Sequence, residues 1–367
     1  MYMKRIISIF LFLTLAVASV CSVRAEISVN AEACVLYCPD SGEVYFSKNE
    51  NKRMRPASTT KLMTALITLE YAEKNNKKVE FTSDMTAEGS SMYLKFGEVV
   101  TLKDLAVGLL MRSGNDAANA AAVAIAGSKE KFAKLMNKRA RKIGMKNTHF
   151  VTPSGLDDDD HYSTAYDLAL LMAEAMRNEA FSALCGKKSE SVRFVKPKGK
   201  SVTYANHNRL LSLYPNCVGG KTGYTIAAGR CLVTAARKDG LTLIAVTLND
   251  KRDWNDHIAL YNYGFENYKM KLLDDSDFHL NVSTVGGEKD ITIVSSFDCE
   301  RFVLPAGDYS RVKRKISLEN FLYAPIKSGE TVGQIVYSLN GKALAVHKLI
   351  AEEDNSFKEN KKLFGIF

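Results

Sequence analysis

Three short strings hold residues able to do chemistry together. In "RPASTTKLMTALITL", residues 55 to 69, Ser58 stands three positions before Lys61 at the head of an apolar run. Lysine is almost never fully buried unless it is paired or used, so a lysine entering a core needs a reason. A serine hydroxyl is a poor nucleophile until a base takes its proton, and a desolvated lysine has a pKa low enough to serve. Three-residue spacing at a helix start brings both side chains to one face. By itself the string equally fits an N-capping serine beside a surface lysine. "RSGND" then sets Ser113 and Asn115 in a tight turn, and "VGGKTGYT" sets Lys221, Thr222 and Gly223 on strand-like sequence. The first string thus offers a candidate nucleophile and base, and the other two set further polar residues on a turn and a strand that could join them in one site.

The elements that must carry these residues are legible in the pattern. "ACVLYCPDSGEVYFSKNENKRM" reads as two strands around the turn "PDSG". A helix is predicted from about Ser58 to Lys74, and helical spacing recurs over 101–112, 116–126, 129–143 and 163–178. Strand character returns in "SVRFVKP", "KSVTYAN", "CVGGKTGYT" and "GRCLVTAARKDGLTLIAVTL", before a closing helix over about 253–268. Strands at both ends with helices between them predict one α+β domain whose sheet draws on both terminal parts. Beyond "KMKLLDDSD" the short strands and "SGE" and "NG" turns predict a small all-β domain.

S-x-x-K, S-x-N and K-T-G, in that order on helix, inter-helix turn and strand, form the signature of penicillin-binding proteins and class A β-lactamases. With "RPASTTKLMTAL", "LLMRSGNDAANAAA", "TPSGLDDDDHYSTAYDLALL", "NHNRLL" and "GGKTGYTIAAGRCLV", most of the chain resembles the D-alanyl-D-alanine carboxypeptidases, the low-molecular-mass penicillin-binding proteins. "APIKSGETVGQIVYSLNGK" is similar to the β-rich domain that follows in this family. The resemblance implies a β-lactamase-like, penicilloyl-serine-transferase domain, with an antiparallel sheet flanked by helices, over 26–272. A β-rich domain over 273–352 and a tail over 353–367 would follow.

It also implies the roles. Ser58 would attack the carbonyl between two D-alanines and form an acyl-enzyme, with Lys61 taking its proton. Ser113 would relay a proton to the leaving amine, and Asn115 would bind the substrate amide. Lys221 and Thr222 would hold the terminal carboxylate, Gly223 would admit substrate backbone, and the N–H groups of Ser58 and Tyr224 would form an oxyanion hole. Arg252 is a further candidate for positive charge near that carboxylate. His161 and the aspartates of "DDDDHYST" read as a satisfied histidine in a solvated loop, not as an acid, a base or a calcium site. The implied partners are peptidoglycan stem peptides ending in D-Ala-D-Ala and β-lactams, with no cofactor and no metal.

Composition agrees with an exported protein of two domains. The 367 residues are 46% hydrophobic and 25% charged, which suits globular domains of about 150 residues each. Lys4 and Arg5 precede an apolar run to Val20, and "VRA" ends at Ala25 like a signal-peptidase site, so residues 1–25 read as a secretory signal. Val20 before Cys21 disfavours lipidation, where a small residue is wanted. Cleavage removes three cations and no acid, so the formal charge falls from +9 to +6. Clustered Lys/Arg with interleaved aromatics is missing, which argues against nucleic acid. The six later cysteines lack ligand or disulfide-framework spacing. In the tail, Phe357, Phe364 and Phe367 with Lys358, Lys361 and Lys362 predict at most weak contact with an anionic membrane surface. A D,D-endopeptidase on cross-linked wall uses the same residues and stays open. A class A-like β-lactamase is disfavoured because "TPSGLDDDDHYST" has no glutamate to direct a deacylating water. A non-catalytic wall-binding or β-lactam-binding protein would have no need of both Lys61 and Lys221.

Overall fold

The computed structural model describes residues 27–358, so the proposed signal segment and residues 359–367 of the tail lie outside it. The chain opens with β1 (Ala33–Cys38) and β2 (Glu43–Lys48), the hairpin anticipated around "PDSG". Next come α1 (Lys61–Lys74), the short pair β3 (Lys78–Glu80) and β4 (Val99–Thr101), then α2 (Leu102–Met111), α3 (Asn115–Ala126), α4 (Lys129–Ile143), α5 (Ala165–Arg177) and α6 (Glu179–Cys185). The hairpin β5 (Ser189–Arg193) and β6 (Ser201–Ala205) and the single turn α7 (Leu210–Leu213) lead to β7 (Cys217–Thr225), β8 (Gly229–Lys238) and β9 (Leu241–Leu248), and α8 (Asp253–Asn267) completes the first unit. Ser58 sits on a 3-10 turn (Ala57–Thr60) ahead of α1, one turn earlier than a regular helix would begin.

Helix starts follow the capping chemistry of the sequence. Thr101 and Asp104 form a reciprocal capping box on α2, while Ser128, Thr164 and Asn178 accept backbone N–H groups at α4, α5 and α6. The sheet order is β2-β1-β9-β8-β7, every neighbouring pair antiparallel, so strands from the two ends of the unit meet at β1 and β9. Both faces are covered. Val35 and Tyr37 of β1 join Ile244 and Val246 of β9 in a core with α1, α2, α3 and α5. Leu36 and Cys38 join Leu243 and Ala245 in a second core under α8. Burial on both faces explains why β1 and β9 lack polar alternation.

A polar knot inside the second core sets the position of α8. His257 Nδ1 and Tyr261 Oη each lie 2.7 Å from Thr234 Oγ1, and His257 Nε2 lies 3.2 Å from Thr247 Oγ1. Burial pushes the imidazole down to about 3, so it stays neutral. This anchorage brings the first turn of α8 to the strand edge where the K-T-G string lies.

The remaining strands are β10 (Tyr268–Asp274), β11 (Phe278–Val285), β12 (Ile291–Ser296), β13 (Cys299–Pro305), β14 (Lys313–Leu318), β15 (Phe321–Tyr323), β16 (Thr331–Leu339) and β17 (Lys342–Ala351). β10 pairs with β13, and the others form a six-stranded sheet around a separate core. β10 spans the 272/273 boundary drawn from the sequence. Residues 355–358 pair back onto this domain, with Asn355 bridging to Ile326 and Phe357 to Gly287. Among the described residues no helix is long and apolar enough to cross a membrane. The six described cysteines are unpaired, four of them buried.

One glycine locks the turn that holds Ser58 to its surroundings. Gly155 has φ +81°, and a Cβ there would run into the Ala57 carbonyl and come within 2.8 Å of Thr60 Oγ1. Gly155→Ala therefore carries both backbone strain and overpacking, together about 2 kcal/mol or more. The expected result is a lowered Tm with impaired acylation of Ser58; an unchanged Tm with full acylation would show that the turn tolerates the displacement.

Candidate active site

The turn that presents Ser58 is held locally. Thr59 donates to the Pro56 carbonyl through both its backbone N, at 3.2 Å, and its hydroxyl, at 2.6 Å. Ala57 takes φ +48°, a left-handed conformation that non-glycine residues seldom adopt. Behind it, His161 Nδ1 accepts the backbone N–H groups of Val151 and Thr152 at 3.1 and 3.2 Å. The ring proton therefore resides on Nε2, which donates to Thr60 Oγ1 at 2.9 Å. Burial pushes His161 down to about 4, and the ring acts as a neutral brace. Asp157 to Asp160 lie on an exposed stretch of the same loop.

Lys61 is completely buried one turn beyond Ser58. Its Nζ lies 2.6 Å from Asn115 Oδ1, 2.6 Å from the Ser154 carbonyl and 3.0 Å from Ser58 Oγ. The first two partners only accept. A neutral amine has two N–H donors and one lone pair, so donation to Asn115 and Ser154 leaves the lone pair for the Ser58 hydroxyl. Asn115 is oriented for this, because its Nδ2 donates to the Glu88 carbonyl at 2.6 Å and turns Oδ1 toward the lysine. Burial, and secondarily the charge of Lys221, holds Lys61 well below the ordinary lysine range.

Ser113 bridges α2 and α3 with φ +58°, a second non-glycine residue in the left-handed region. Asn115 begins α3, and its backbone N donates to the Ser90 carbonyl at 2.7 Å. The neighbouring Asp116 accepts from the backbone N of Met92 and Leu94 and from Ser91 Oγ. The S-G-N turn thus fastens the segment that brings Ser90 to the cleft.

Among the described residues β7 is an edge strand of the sheet, paired with β8 alone. Its free side faces a cleft of about 310 Å³ lined by Ser58, Ser90, Ser113, Thr222, Gly223 and Tyr224. Unpaired backbone groups on such an edge are a template for another extended chain. A Cβ at Gly223 would stand 3.1 Å from Ser58 N, so glycine keeps the strand close to the nucleophile's backbone. Lys221 lies behind the wall. Its Nζ donates to the Thr222 carbonyl at 2.6 Å, and burial pushes it down to about 7.

The cleft also has walls the motif strings do not name: His207, Arg230, Asp253 and Trp254. His207 Nε2 lies 3.2 Å from Arg112 Nη1; guanidinium only donates, so the imidazole proton is on Nδ1. Arg252 is not among the lining residues. It is exposed and precedes α8, its backbone N donating to Asp250 Oδ1, while Arg230 supplies the guanidinium in the wall. His207 and Arg230 lie inside "NHNRLL" and "AAGRCLV", strings with family character, but nothing local marks them as site residues. No cluster of three or more His, Cys, Asp or Glu among the described residues is arranged to hold a metal ion.

The D-alanyl-D-alanine carboxypeptidase family matches residues 19–252, and the C-terminal domain of penicillin-binding protein 5 matches residues 268–356. The D-alanyl-D-alanine carboxypeptidase DacF of Bacillus subtilis is 34% identical over 340 residues, covering 90% of this chain and 87% of that protein. DacC of Escherichia coli is likewise 34% identical, over 94% of this chain and 89% of its own length. The crystal structure of penicillin-binding protein 5 from Haemophilus influenzae superposes with a TM-score of 0.67 at 29% identity, covering 90% of this chain and 99% of the other. With the peptidase match spanning well over half of its length and the β-rich match continuing beyond it, the chain belongs to the D-alanyl-D-alanine carboxypeptidase family of low-molecular-mass penicillin-binding proteins.

Proposed function

We propose that the protein is a serine-type D-Ala-D-Ala carboxypeptidase that trims peptidoglycan stem peptides through an acyl-enzyme on Ser58. The observation that carries this reading is the Lys61 amine, buried and 3.0 Å from Ser58 Oγ, with both its donors engaged elsewhere. Ser58 Oγ attacks the penultimate D-alanine carbonyl while its proton passes to Lys61 Nζ. The C–N bond breaks, and the leaving D-alanine amine takes a proton relayed through Ser113. Water then attacks the ester, returns the proton to Ser58 and releases the shortened peptide. β7 binds the substrate backbone along its free edge, and Ser58 N with Tyr224 N stabilises the oxyanion. Thr222 faces the carboxylate from the cleft. Lys221 acts from behind the wall, where its charge disfavours protonation of Lys61.

Asp253, the cleft's lining carboxylate, is engaged by Arg230, so a β-lactamase-type deacylating carboxylate has no free candidate here. Action on wall peptide requires an exported protein, which agrees with the signal-like residues 1–25. Phe357 and Lys358 are exposed where they pair back onto Gly286 and Gly287 of the β domain.

A fluorescent penicillin should label the protein at Ser58 alone, and purified enzyme should release D-alanine from a free pentapeptide much faster than it opens a cross-linked dimer. Undiminished labelling of Ser58→Ala would remove the nucleophile assignment, and preference for the dimer would establish the endopeptidase reading instead. Lys61→Arg keeps the charge but cannot surrender a proton near neutrality. Acylation should fall by at least about 100-fold, the low end for lost general-base catalysis.

The pH dependence has a definite sign. Lys61 works when neutral, so acylation declines as pH falls through its lowered pKa. Lys221→Met removes a neighbouring positive charge, makes Lys61 easier to protonate and should move that acid limb to higher pH. Stopped-flow acylation across pH reads the shift, and an unmoved limb would show that the two amines are not coupled.

A further inference from the structure

A second cavity, of about 480 Å³, opens in the β-rich domain and shares no lining residue with the cleft. Its walls are the loop 274–278, Arg314 and Tyr337. The volume falls within the range of small-molecule sites, roughly 300–1,000 Å³. Strand register explains how an arginine comes to stand there. Arg314 of β14 is directly opposite Tyr337 of β16, and Ile335, two residues before Tyr337, is opposite His347 of β17. Residues so placed share one face. It is the inner face, because Ile335 and Tyr337 belong to the core of this domain. β14 ends the strand order of the sheet, so Arg314 reaches the rim of that face.

The arginine is held by groups that are themselves buried. Its Nε and Nη2 lie 3.0 and 2.7 Å from Asp275 Oδ1, and His347 Nδ1 lies 2.7 Å from Asp275 Oδ2. The side chains of Asp275 and His347 are 3% and 0% exposed, whereas that of Arg314 is 36% exposed. The guanidinium centre lies 5.0 Å from the Phe278 ring, which forms an aromatic floor. Asp275 uses two of the five N–H groups of the guanidinium, and the Tyr337 hydroxyl accepts one more, so two remain for a ligand. Replacing a buried charge network by apolar residues commonly leaves stability unchanged or raises it. Stability alone therefore does not call for this one.

The same cavity also carries negative charge. Asp274 Oδ1 accepts from Ser276 N at 3.0 Å and from Ser276 Oγ at 2.7 Å, bonds that hold its carboxyl below the usual range and keep it ionised. Asp277 is exposed, and among the described residues no protein donor engages its carboxylate. A simple anion would be repelled by Asp274 and Asp277, and a simple cation by Arg314. A ligand bearing both charges meets neither penalty. We propose that this cavity binds an α-amino-acid zwitterion, its carboxylate on Arg314 and its ammonium on Asp277 and Asp274. Asp275 and His347 are positioning residues that fix the guanidinium. Free D-alanine has this chemistry, and so does an amino-acid terminus at the end of a wall-peptide side chain. Only the choice of D-alanine as a source rests on the carboxypeptidase reading; the site itself does not.

Titration calorimetry on the full chain with D-alanine, N-acetyl-D-alanine and D-alanine amide reads the two charges separately. Wild type should bind D-alanine, and each analogue at least about 10-fold more weakly, the low end for a lost charge-assisted hydrogen bond. Asp277→Asn should cost D-alanine binding as much while leaving Tm unchanged, because it breaks no protein contact. Arg314→Gln strands the buried Asp275, so Arg314→Gln/Asp275→Asn is made beside it and should show the same loss. Penicillin labelling of Ser58 should be normal in every folded variant, which separates this site from the cleft. A second arm measures retention on purified peptidoglycan with its free amines intact or acetylated. Retention lost on acetylation and in Asp277→Asn assigns the wall-borne zwitterion; D-alanine binding with retention indifferent to acetylation assigns the free amino acid. The site falls if D-alanine does not bind and acetylation changes nothing, if a singly charged analogue binds as tightly as D-alanine, or if folded Asp277→Asn and the double variant match wild type in both arms. Normal penicillin labelling beside any of those results would leave the carboxypeptidase reading standing without this site.

Discussion

The site depends on a single buried amine. An ammonium at Lys61 would have to be desolvated among apolar neighbours, which disfavours the charged form strongly. The protein supplies no carboxylate to neutralise it directly; the contacts of Nζ are an amide oxygen, a peptide carbonyl and a hydroxyl. These partners suit a neutral amine, because they absorb two donors and present one proton to its lone pair. Around this requirement the structure is arranged. α1 carries the amine, α3 carries the amide, the loop before α5 brings the Ser154 carbonyl, and Gly155 presses that loop onto the turn holding Ser58.

Burying a lysine as a neutral base opposes stability at neutral pH, because the unfolded chain binds a proton that the folded chain does not. Burial of Lys221, pushed down to about 7, adds a second cost of the same origin, although that amine still carries charge part of the time near neutrality. The surrounding helical core offsets this: Leu62, Met63, Leu66 and Leu69 of α1 are buried with Leu105, Leu109 and Met111 of α2. Apolar burial at roughly 25 cal/mol per Å² provides the excess that lets two amines stay dry. α1 therefore serves both purposes, with one end holding the buried Lys61 amine beside Ser58 and the rest supplying packing.

Much of this was legible in the chain. The hairpin around "PDSG", the helices of the middle segment and the strands from Cys217 to Leu248 follow from periodicity and turn chemistry, and the three strings place Ser58, Ser113 and the edge of β7 around one cleft. What escaped was long-range. Ser154 contributes a backbone carbonyl, and no side-chain pattern announces which carbonyl will meet Lys61. Arg230 and Asp253 are 23 residues apart and meet only because α8 folds back across the sheet. Arg252, singled out for its charge after a predicted strand, is exposed just ahead of α8, next to Asp253 and Trp254, which line the cleft with Arg230. The boundary of the β domain was obscured because β10 continues directly from α8 without a turn signal.

The cleft straddles the edge of β7, and this accounts for how two kinds of chemistry share it. Lys221 and Gly223 occupy the strand face turned toward Ser58, where glycine permits close backbone approach and a second buried amine lies near Lys61. Thr222 and Tyr224 occupy the other face, beside Arg230 and the first turn of α8. The free edge of β7 thus runs between Ser58 on one side and the polar side chains of Thr222, Arg230 and Asp253 on the other. Helix α8 is consequently more than a cover for the sheet. His257 and Tyr261 tie it to Thr234 of β8, and the same helix delivers Asp253 and Trp254 to the cleft wall. The residues around Lys61 and those around Asp253 thus rest on separate cores on opposite faces of one sheet, so packing under α8 can change while the Lys61 hydrogen bonds stay in place.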